Sequence, residues 1–134
     1  MISSKKLLVK KSTLPNSGKG LFTKIDIQKG EKIIEYKGKI TTWNDADHDD
    51  GKNPYIYYVN KTHVIDAKNT KNFLARYAND ANGQKKIKGL LNNSTYSIQD
   101  KKVFIKAIKN ISAGSEILVG YGDEYWETRK KYKL

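Results

Sequence analysis

Short apolar stretches separated by turn residues are the feature that most constrains how this chain can fold. Most of these stretches are only four to seven residues long and are rich in Ile, Val, Tyr or Phe, which is typical of β-strands. They are LLVKK, GLFTKIDI, KIIEY, YIYYV, HVIDA, VFIKAI and EILVGY. Because none is long, we predict a mainly β fold of several small sheets rather than one large sheet.

Helical signals are confined to two segments. In TKNFLARYAN, Phe73, Leu74 and Tyr77 lie at helical spacing, and Thr70 is a candidate N-cap. A second short helix is predicted in GDEYWETRKKY, near the C-terminus. Short helices are therefore expected as minor elements beside the strands.

The composition predicts a single domain over residues 1–134. A chain of 134 residues with 37% hydrophobic and 30% charged residues can bury a modest core, and its composition is neither that of a disordered chain nor that of a membrane protein. No apolar run approaches the roughly 20 residues that span a bilayer, and the start of the chain lacks a signal-peptide core. We expect an intracellular protein, with the nucleus, or a host nucleus, as a candidate location. The absence of cysteine excludes disulfides, thiolate zinc sites and a thiol nucleophile.

The net charge of +12 is concentrated at the two ends of the chain. Residues 1–39 carry ten Lys and Arg against three acidic residues, and residues 85–134 carry eleven against five. Such ends favour contact with nucleic acid or with an acidic partner surface, whereas a solvated lysine-rich surface is the alternative. Residues 127–134 are a basic C-terminal tail within this pattern.

Residues 43–54 form an acidic, polar insert that we predict to be a surface loop. Its aspartates alternate as at the start of a calcium-binding loop. They are Asp45, Asp47 and Asp49. The match then fails, because Gly51 comes one place late and the twelfth position is Ile56 rather than glutamate. Neither histidine of the chain has ligand spacing, so we predict no metal site.

The pair Gly18 and Gly20 raises the question of a phosphate-binding loop. A dinucleotide fingerprint requires a third glycine where this chain has Thr23, followed by a helix, but LFTKIDI favours a strand. The sequence contains no Walker loop and no Gly-x-Ser-x-Gly elbow. Taken alone, the glycine pair indicates a turn more strongly than a site.

The sequence is unusually rich in tyrosine, with nine of these residues. Five of them are candidates to line a narrow aromatic channel: Tyr36, Tyr55, Tyr57, Tyr58 and Tyr121. Such a channel suits a lysine side chain, because its apolar stem packs on rings while its amine meets hydroxyls or ring faces. The alternative is that these tyrosines are half-buried structural residues of a β protein.

Four motifs, taken in order, resemble those of the SET domain, the fold of many protein lysine methyltransferases. GKGLF resembles the family's GxG-(Leu/Val)-Phe segment, and IQKGEKIIEYKG resembles the strand pair that follows it. YIYYVNKTHVIDAKNTKNFLARYAND is similar to the Tyr-rich strand, the IDA strand and the N-x-x-R-(F/Y)-x-N-H segment. VFIKAIKNISAGSEILVGYGDEYW resembles the closing signature with its GEEL and YG elements. The resemblance covers residues 5 to about 127 and implies a SET-domain fold with a knot-like C-terminal segment.

The resemblance implies S-adenosylmethionine as the cofactor, a protein lysine as the methyl acceptor and no metal. The implied activity is protein-lysine N-methylation, with histones as candidate substrates. The implied cofactor-binding residues are Ser17, Gly18, Lys19, Gly20, Arg76, Asn79, Asp80, Tyr121 and Trp126. Tyr121 is the implied catalytic tyrosine, Tyr55 lines the lysine channel, and Tyr36 is a third catalytic candidate.

The chain also departs from the family pattern. The family's N-H-S-C-x-P-N reads NDANGQKK here, so Asp80 replaces histidine and Cys-x-Pro is absent. Asn93 is then the candidate for the later family asparagine. Val119 stands where other members use Phe or Tyr to limit the number of methyl groups.

These departures leave three alternatives open. If the family histidine acts through its backbone, Asp80 is compatible with an active enzyme. If its ring is required, the chain is a catalytically impaired binding module. A basic nucleic-acid- or chromatin-binding protein is the third alternative. A partner subunit, including a second copy in a homodimer, is a candidate to complete the lysine channel.

Overall fold

The computed structural model describes residues 1–49, 52–82 and 89–122. Its strands are β1 (Leu7–Lys11), β2 (Lys19–Thr23), β3 (Lys32–Glu35), β4 (Lys39–Thr41), β5 (Ile56–Asn60), β6 (His63–Asp66), β7 (Ser94–Gln99) and β8 (Lys102–Ala107). Within the described residues they form three small antiparallel sheets, with the orders β1–β2, β3–β8–β7 and β4–β6–β5. The prediction of a mainly β fold with several small sheets is therefore confirmed.

The central strands of the two larger sheets supply much of the core. Val64 and Ile65 of β6 are adjacent and both buried, as are consecutive residues of β8 such as Ile105. Because neighbouring residues of a strand point to opposite faces, these strands are covered on both sides. Ile65 and Ile105 belong to the same hydrophobic cluster as Leu21 of β2, so one core joins all three sheets.

The turn between β7 and β8 has the backbone geometry of a tight hairpin. Gln99 pairs with Lys102, which leaves Asp100 and Lys101 as the two loop residues. Their φ angles are 50° and 66°, as a type I′ turn requires. β7 was not among the predicted apolar stretches, since STYSIQ is largely polar; its pairing with β8 makes it a strand.

The predicted helix around TKNFLARYAN is instead a single 3₁₀ turn, Leu74–Tyr77. The prediction of Thr70 as its N-cap was wrong, because Phe73 holds the cap position without a side-chain hydrogen bond. Thr70 lies in a preceding turn, where its N–H donates to the carbonyl of Ala67 at 3.4 Å. The Arg76 guanidinium donates to the same carbonyl at 2.6 Å. These contacts fold the segment back onto the end of β6, which competes with a longer helix.

Two predictions near the C-terminus fall on residues 123–134. The second short helix and the basic tail at 127–134 lie outside the described residues. Within the described part of the chain, no helix is long and apolar enough to cross a membrane.

Residues 116–121, predicted as a strand, run between two other segments of the chain. The Val119 N–H donates to the Asn79 carbonyl at 2.9 Å on one side. On the other side the Ser94 N–H donates to the Leu118 carbonyl at 3.0 Å. Both contacts belong to isolated parallel bridges. The C-terminal segment is thus held between two earlier parts of the chain, although residues 83–88, between those parts, lie outside the described residues.

Candidate active site

The loop between β1 and β2 borders an open cleft of about 900 Å³. Gly18 turns this loop with a φ of +62°, a left-handed conformation that favours glycine. A side-chain carbon added there would meet nothing within 4 Å, so backbone conformation rather than crowding accounts for this glycine. The cleft falls within the range of about 300–1,000 Å³ that is typical of small-molecule sites.

Gly20 is a glycine for a different reason. A side-chain carbon on Gly20 would lie 2.3 Å from Oε2 of Glu116 and 3.3 Å from the Ser12 backbone. The missing side chain therefore makes room for a carboxylate of this same chain. The two glycines of the GxG pair have separate physical causes, and the sequence motif alone did not distinguish them.

Glu116 is a buried carboxylate, 6% exposed, that the sequence analysis did not single out. Its Oε2 accepts a hydrogen bond from the Ser12 hydroxyl at 2.7 Å. Its Oε1 accepts from the Thr13 N–H at 2.9 Å and from the Thr13 hydroxyl at 2.6 Å. Such bonds offset the cost of removing a carboxylate from water. The signal in the sequence was an acidic residue at the start of the apolar stretch EILVGY.

Asn79 links the cleft to the C-terminal segment. Its Nδ2 donates to the Lys19 carbonyl at 3.0 Å and lies 3.3 Å from Oε2 of Glu116. Its own carbonyl accepts the Val119 N–H at 2.9 Å. Lys19 is thus held through its backbone, and the structure brings together two residues that the sequence places 60 positions apart.

Asn93 binds the same C-terminal segment from the opposite side. Its Nδ2 donates to the Glu116 carbonyl at 2.9 Å, and its Oδ1 accepts the Leu118 N–H at 2.9 Å. The side-chain amide therefore substitutes for a strand partner over this segment. These contacts are consistent with Asn93 as the later asparagine of the family pattern.

Tyr121 is fixed at both its backbone and its ring. Its hydroxyl donates to the carbonyl of Ala78, and its N–H donates to Oδ2 of Asp80 at 2.9 Å. A phenol oxygen that donates its proton retains acceptor capacity. The ring lies parallel to that of Tyr96, with centroids 6.4 Å apart and an interplanar angle of 25°.

Among the described residues, Tyr121 belongs to a cluster of four tyrosine rings, which we call the tyrosine cluster. Its members are Tyr36, Tyr57, Tyr96 and Tyr121. Tyr96 lies within 6.0 Å of Tyr36 and 5.0 Å of Tyr57, measured between centroids. Burial raises the pKa of Tyr57 above its ordinary value of 10.0. Tyr96 was missed as a site residue, because the polar strand β7 gave no apolar signal around it.

Tyr55 and Tyr58 lie outside this cluster. The Tyr55 ring lies 3.8 Å from the guanidinium carbon of Arg76, and its backbone carbonyl accepts the Tyr36 hydroxyl at 2.9 Å. Tyr58 is 49% exposed and packs edge-on against Trp43 at 5.4 Å. Tyr55 therefore adjoins the tyrosine cluster through Tyr36, whereas Tyr58 faces the acidic insert.

The remaining residues implied by the resemblance are placed as follows. The Ser17 hydroxyl donates to the Pro15 carbonyl at 3.4 Å. Arg76 donates to the carbonyls of Ala67 and Lys68, each at 2.6 Å. Trp126 lies outside the described residues. The cofactor-binding roles of all three stay predictions.

The described residues fit the cofactor that the resemblance implies. The cleft has the volume of a small-molecule site. At Gly18, which is left-handed and has no side chain, the backbone is exposed along the edge of the cleft. Asn79 and Asp80 join this edge to the tyrosine cluster through Lys19 and Tyr121. One short segment thus separates the cleft from the tyrosines.

Comparisons with known proteins agree with this geometry. A family model described as "SET domain" matches residues 18–122. "Histone-lysine N-methyltransferase EZH2" of Chaetomium thermophilum is 29% identical over 141 residues, which cover 96% of this chain and 9% of that protein. "N-lysine methyltransferase KMT5A" of Xenopus tropicalis is 28% identical over 126 residues, which cover 86% of this chain and 36% of that protein. The chain thus spans well under half the length of these relatives.

Solved structures give the same relationship. An active polycomb repressive complex 2 in the basal state matches with a TM-score of 0.70 at 28% identity, covering 87% of this chain and 15% of that chain. The methyltransferase domain of human PR domain-containing protein 2 matches with a TM-score of 0.63 at 25% identity, covering 87% and 77%. Since the family model spans most of the sequence, the chain belongs to the SET domain family.

Proposed function

We propose that this chain is an S-adenosylmethionine-dependent protein-lysine N-methyltransferase. One observation carries the proposal: residues 78–80 form hydrogen bonds both to Lys19, which lines the cleft, and to Tyr121 of the tyrosine cluster. Asn79 donates to the Lys19 carbonyl at the cleft, while Ala78 and Asp80 accept the hydroxyl and the N–H of Tyr121. A methyl donor in the cleft and an acceptor among the tyrosines would meet at this segment.

The cofactor side of the site is built from backbone. We assign its methionine portion to residues 17–20, with Asn79 and Asp80 bordering it. When bound, S-adenosylmethionine supplies a methyl group already activated by its own sulfonium charge. In support, a structure described as ctPRC2 bound to S-adenosylmethionine matches with a TM-score of 0.68 at 27% identity, covering 95% of this chain and 16% of that chain.

The tyrosine cluster is the proposed lysine side of the site. An amine must be neutral to accept a methyl group, and the ordinary pKa of lysine is near 10.4. A desolvated channel disfavours the ammonium form, and ring faces pack well on the lysine stem. Tyr121, whose hydroxyl donates to Ala78, would present its oxygen to the amine and orient it for in-line attack. That task is one of positioning, which is worth several kcal/mol of the barrier.

Histones are the proposed substrate class. The support is that relatives matching most of this chain are named histone-lysine or N-lysine methyltransferases. The nucleus is the corresponding proposed location. The exposed lysines of the β1–β2 sheet, which include Lys10, Lys11 and Lys19, support an accompanying contact with nucleic acid.

Asp80 favours an active enzyme over an impaired binding module. The carboxylate is buried and accepts hydrogen bonds from the Tyr121 segment, so the replacement of histidine is accommodated without an unpaired buried charge. An acidic residue at this place is therefore compatible with a formed tyrosine cluster.

Calorimetry and label transfer test the proposal. S-Adenosylmethionine is titrated into the chain, which is then incubated with methyl-labelled cofactor and core histones. We expect binding and label on histone lysines, and no label on histones whose lysines have been chemically acetylated. Absence of cofactor binding contradicts the enzyme proposal, and binding without transfer to histones contradicts the substrate class.

A further inference from the structure

Asp80 is a buried acidic side chain, 7% exposed, at the position where the family pattern has histidine. Its Oδ1 accepts the Asn82 N–H and the Asn92 side-chain amide, each at 2.8 Å. Its Oδ2 accepts the Tyr121 N–H at 2.9 Å, across 41 residues of sequence. Among the described residues, this one carboxylate therefore accepts hydrogen bonds from Asn82, Asn92 and the distant Tyr121.

Asn92 fixes the orientation of the Asp80 carboxylate. Its Nδ2 donates to Asp80, while its Oδ1 accepts the Ala81 N–H at 2.8 Å. The amide of Asn92 cannot be reversed without placing its carbonyl against the Asp80 carboxylate and its amino group against the Ala81 N–H. The pair is thus held in one orientation, and Oδ2 of Asp80 is aimed at the Tyr121 backbone.

Two residues of the segment 78–80 hold Tyr121 by hydrogen bonds. Its N–H bonds to the side chain of Asp80, and its hydroxyl bonds to the backbone of Ala78. The side chain of a tyrosine rotates about the bonds that join its ring to the backbone. Fixing both the N–H and the hydroxyl of Tyr121 therefore sets the direction of the ring and the position of its oxygen. A carboxylate has two acceptor oxygens, whereas a neutral imidazole has a single acceptor nitrogen. Asp80 can therefore serve donors on both sides at once.

We propose that Asp80 is a positioning residue whose carboxylate holds Tyr121 in its reactive orientation. The inference rests on the proposed methyltransferase function and adds a residue that acts through Tyr121 rather than on the substrate. It also assigns a purpose to the departure from histidine: Asp80 with Asn92 forms a polar pair that fixes the C-terminal segment.

The variant Asp80→Asn should break this arrangement in either orientation of the new amide. If the oxygen of that amide faces Tyr121, the Tyr121 bond is kept but the amino group opposes two donors, the Asn82 N–H and the amino group of Asn92, so this orientation is the less favourable one. If the amino group faces Tyr121 instead, it opposes the Tyr121 N–H. A donor facing a donor in a buried site loses the hydrogen bond and leaves both groups unpaired.

The exchanged pair Asp80→Asn with Asn92→Asp should restore the contact. The new amide at position 80 donates to the new carboxylate at position 92, and its oxygen accepts the Tyr121 N–H. The carboxylate at position 92 still accepts the Ala81 N–H. The Asn82 N–H loses its acceptor and faces the new amino group, but Asn82 is exposed, so its N–H can turn to water instead.

Hydrogen exchange gives a readout that does not require activity. We expect the Tyr121 amide to exchange roughly tenfold faster or more in Asp80→Asn, the equivalent of about 1.4 kcal/mol. The Val119 amide, bonded to the Asn79 carbonyl, is the internal reference and should change little. The exchanged pair should return the Tyr121 amide towards the wild-type rate. An unchanged Tyr121 amide in Asp80→Asn, or failure of the exchanged pair to slow it, overturns the proposal.

Methyl transfer supplies the second readout. In Asp80→Asn, kcat should fall by roughly tenfold or more, about 1.4 kcal/mol of barrier. The KM for S-adenosylmethionine should change much less, because the carboxylate is bonded to Tyr121, Asn82 and Asn92 and only the backbone of position 80 would border the cofactor. The exchanged pair should recover kcat, and the control Asp45→Asn, which alters an exposed aspartate with the same charge change, should leave both constants unchanged. A full wild-type kcat in Asp80→Asn overturns the proposal. Lack of transfer by the wild type instead contradicts the proposed function, and the exchange rates still decide whether Asp80 holds Tyr121.

Discussion

The hydroxyl of Ser12 donates a 2.7 Å hydrogen bond to the carboxylate of Glu116, which lies 104 residues further along the chain. The bond brings the loop after β1 against the C-terminal segment, at the edge of the proposed cofactor cleft. Gly20 has no side chain at the point where this carboxylate packs. The glycine motif and the distant glutamate are therefore parts of one arrangement that shapes the cleft.

We predict that Glu116→Gln destabilises the protein and weakens cofactor binding. The Thr13 N–H and the Asn79 amide both donate to this carboxylate, so the amino group of a glutamine opposes a donor in either orientation. We expect a loss of about 1–3 kcal/mol in the free energy of unfolding, measured by urea titration. The calorimetric Kd for S-adenosylmethionine should rise as the loop loosens.

Glu31→Gln is the matched control for this charge change, because Glu31 is exposed. It should alter neither the unfolding free energy nor the Kd by a comparable amount. Equal effects of Glu31→Gln and Glu116→Gln would show that net charge, rather than the buried hydrogen bonds, matters.

Gly20→Ala should be coupled to Glu116, whereas Gly18→Ala should not be. The methyl group of Gly20→Ala would overlap the carboxylate at 2.3 Å, so removing that carboxylate with Glu116→Ala should relieve part of the cost. Gly18→Ala imposes only a left-handed alanine, at about 1–2 kcal/mol. Double-mutant cycles of unfolding free energy measure both couplings. Additive effects for Gly20→Ala and Glu116→Ala would contradict the proposed close approach.

Tyr121→Phe should lower methyl transfer while leaving cofactor binding nearly intact. The ring and its contact with Tyr96 are retained, but the oxygen that orients the amine is lost. Because misplacement of a reacting group by about 1 Å costs about 100-fold, we expect a loss of that order in kcat. Tyr58→Phe is the matched control, since Tyr58 is exposed and contacts Trp43. Unchanged turnover in Tyr121→Phe would show that the Tyr121 hydroxyl has no catalytic role.

Within the described residues, the sequence predicted six of the eight strands, because each short apolar stretch carries its own β signal. The strands β4 and β7 were not among these stretches, and EILVGY, predicted as a strand, forms isolated bridges instead. It predicted the helix at TKNFLARYAN poorly, since helical spacing there competes with the contacts of Arg76 to the end of β6. Local periodicity contains no information about such a long side chain reaching back over nine residues.

The site was only partly predictable for a similar reason. Tyr36 and Tyr121 were identified from motifs, and the structure brings both into the tyrosine cluster. Glu116 and Tyr96 were missed, because their roles depend on partners far along the chain, Ser12 and Tyr57. Such partners become neighbours only through the packing of the small sheets, which no single segment encodes.

The tyrosine cluster should also make stability fall at alkaline pH. Burial raises the pKa of Tyr57 above 10.0, so between pH 10 and the raised value the folded protein keeps a proton that the unfolded chain has lost. Stability is then fully present below the unfolded pKa and declines as the pH rises through the folded one. Tyr57→Phe lacks this titration, so its unfolding free energy should approach or overtake that of the wild type between about pH 9 and pH 11. Urea unfolding of both proteins at a series of pH values across this range measures the difference. A difference that stays constant with pH would mean that Tyr57 titrates alike in the folded and unfolded states.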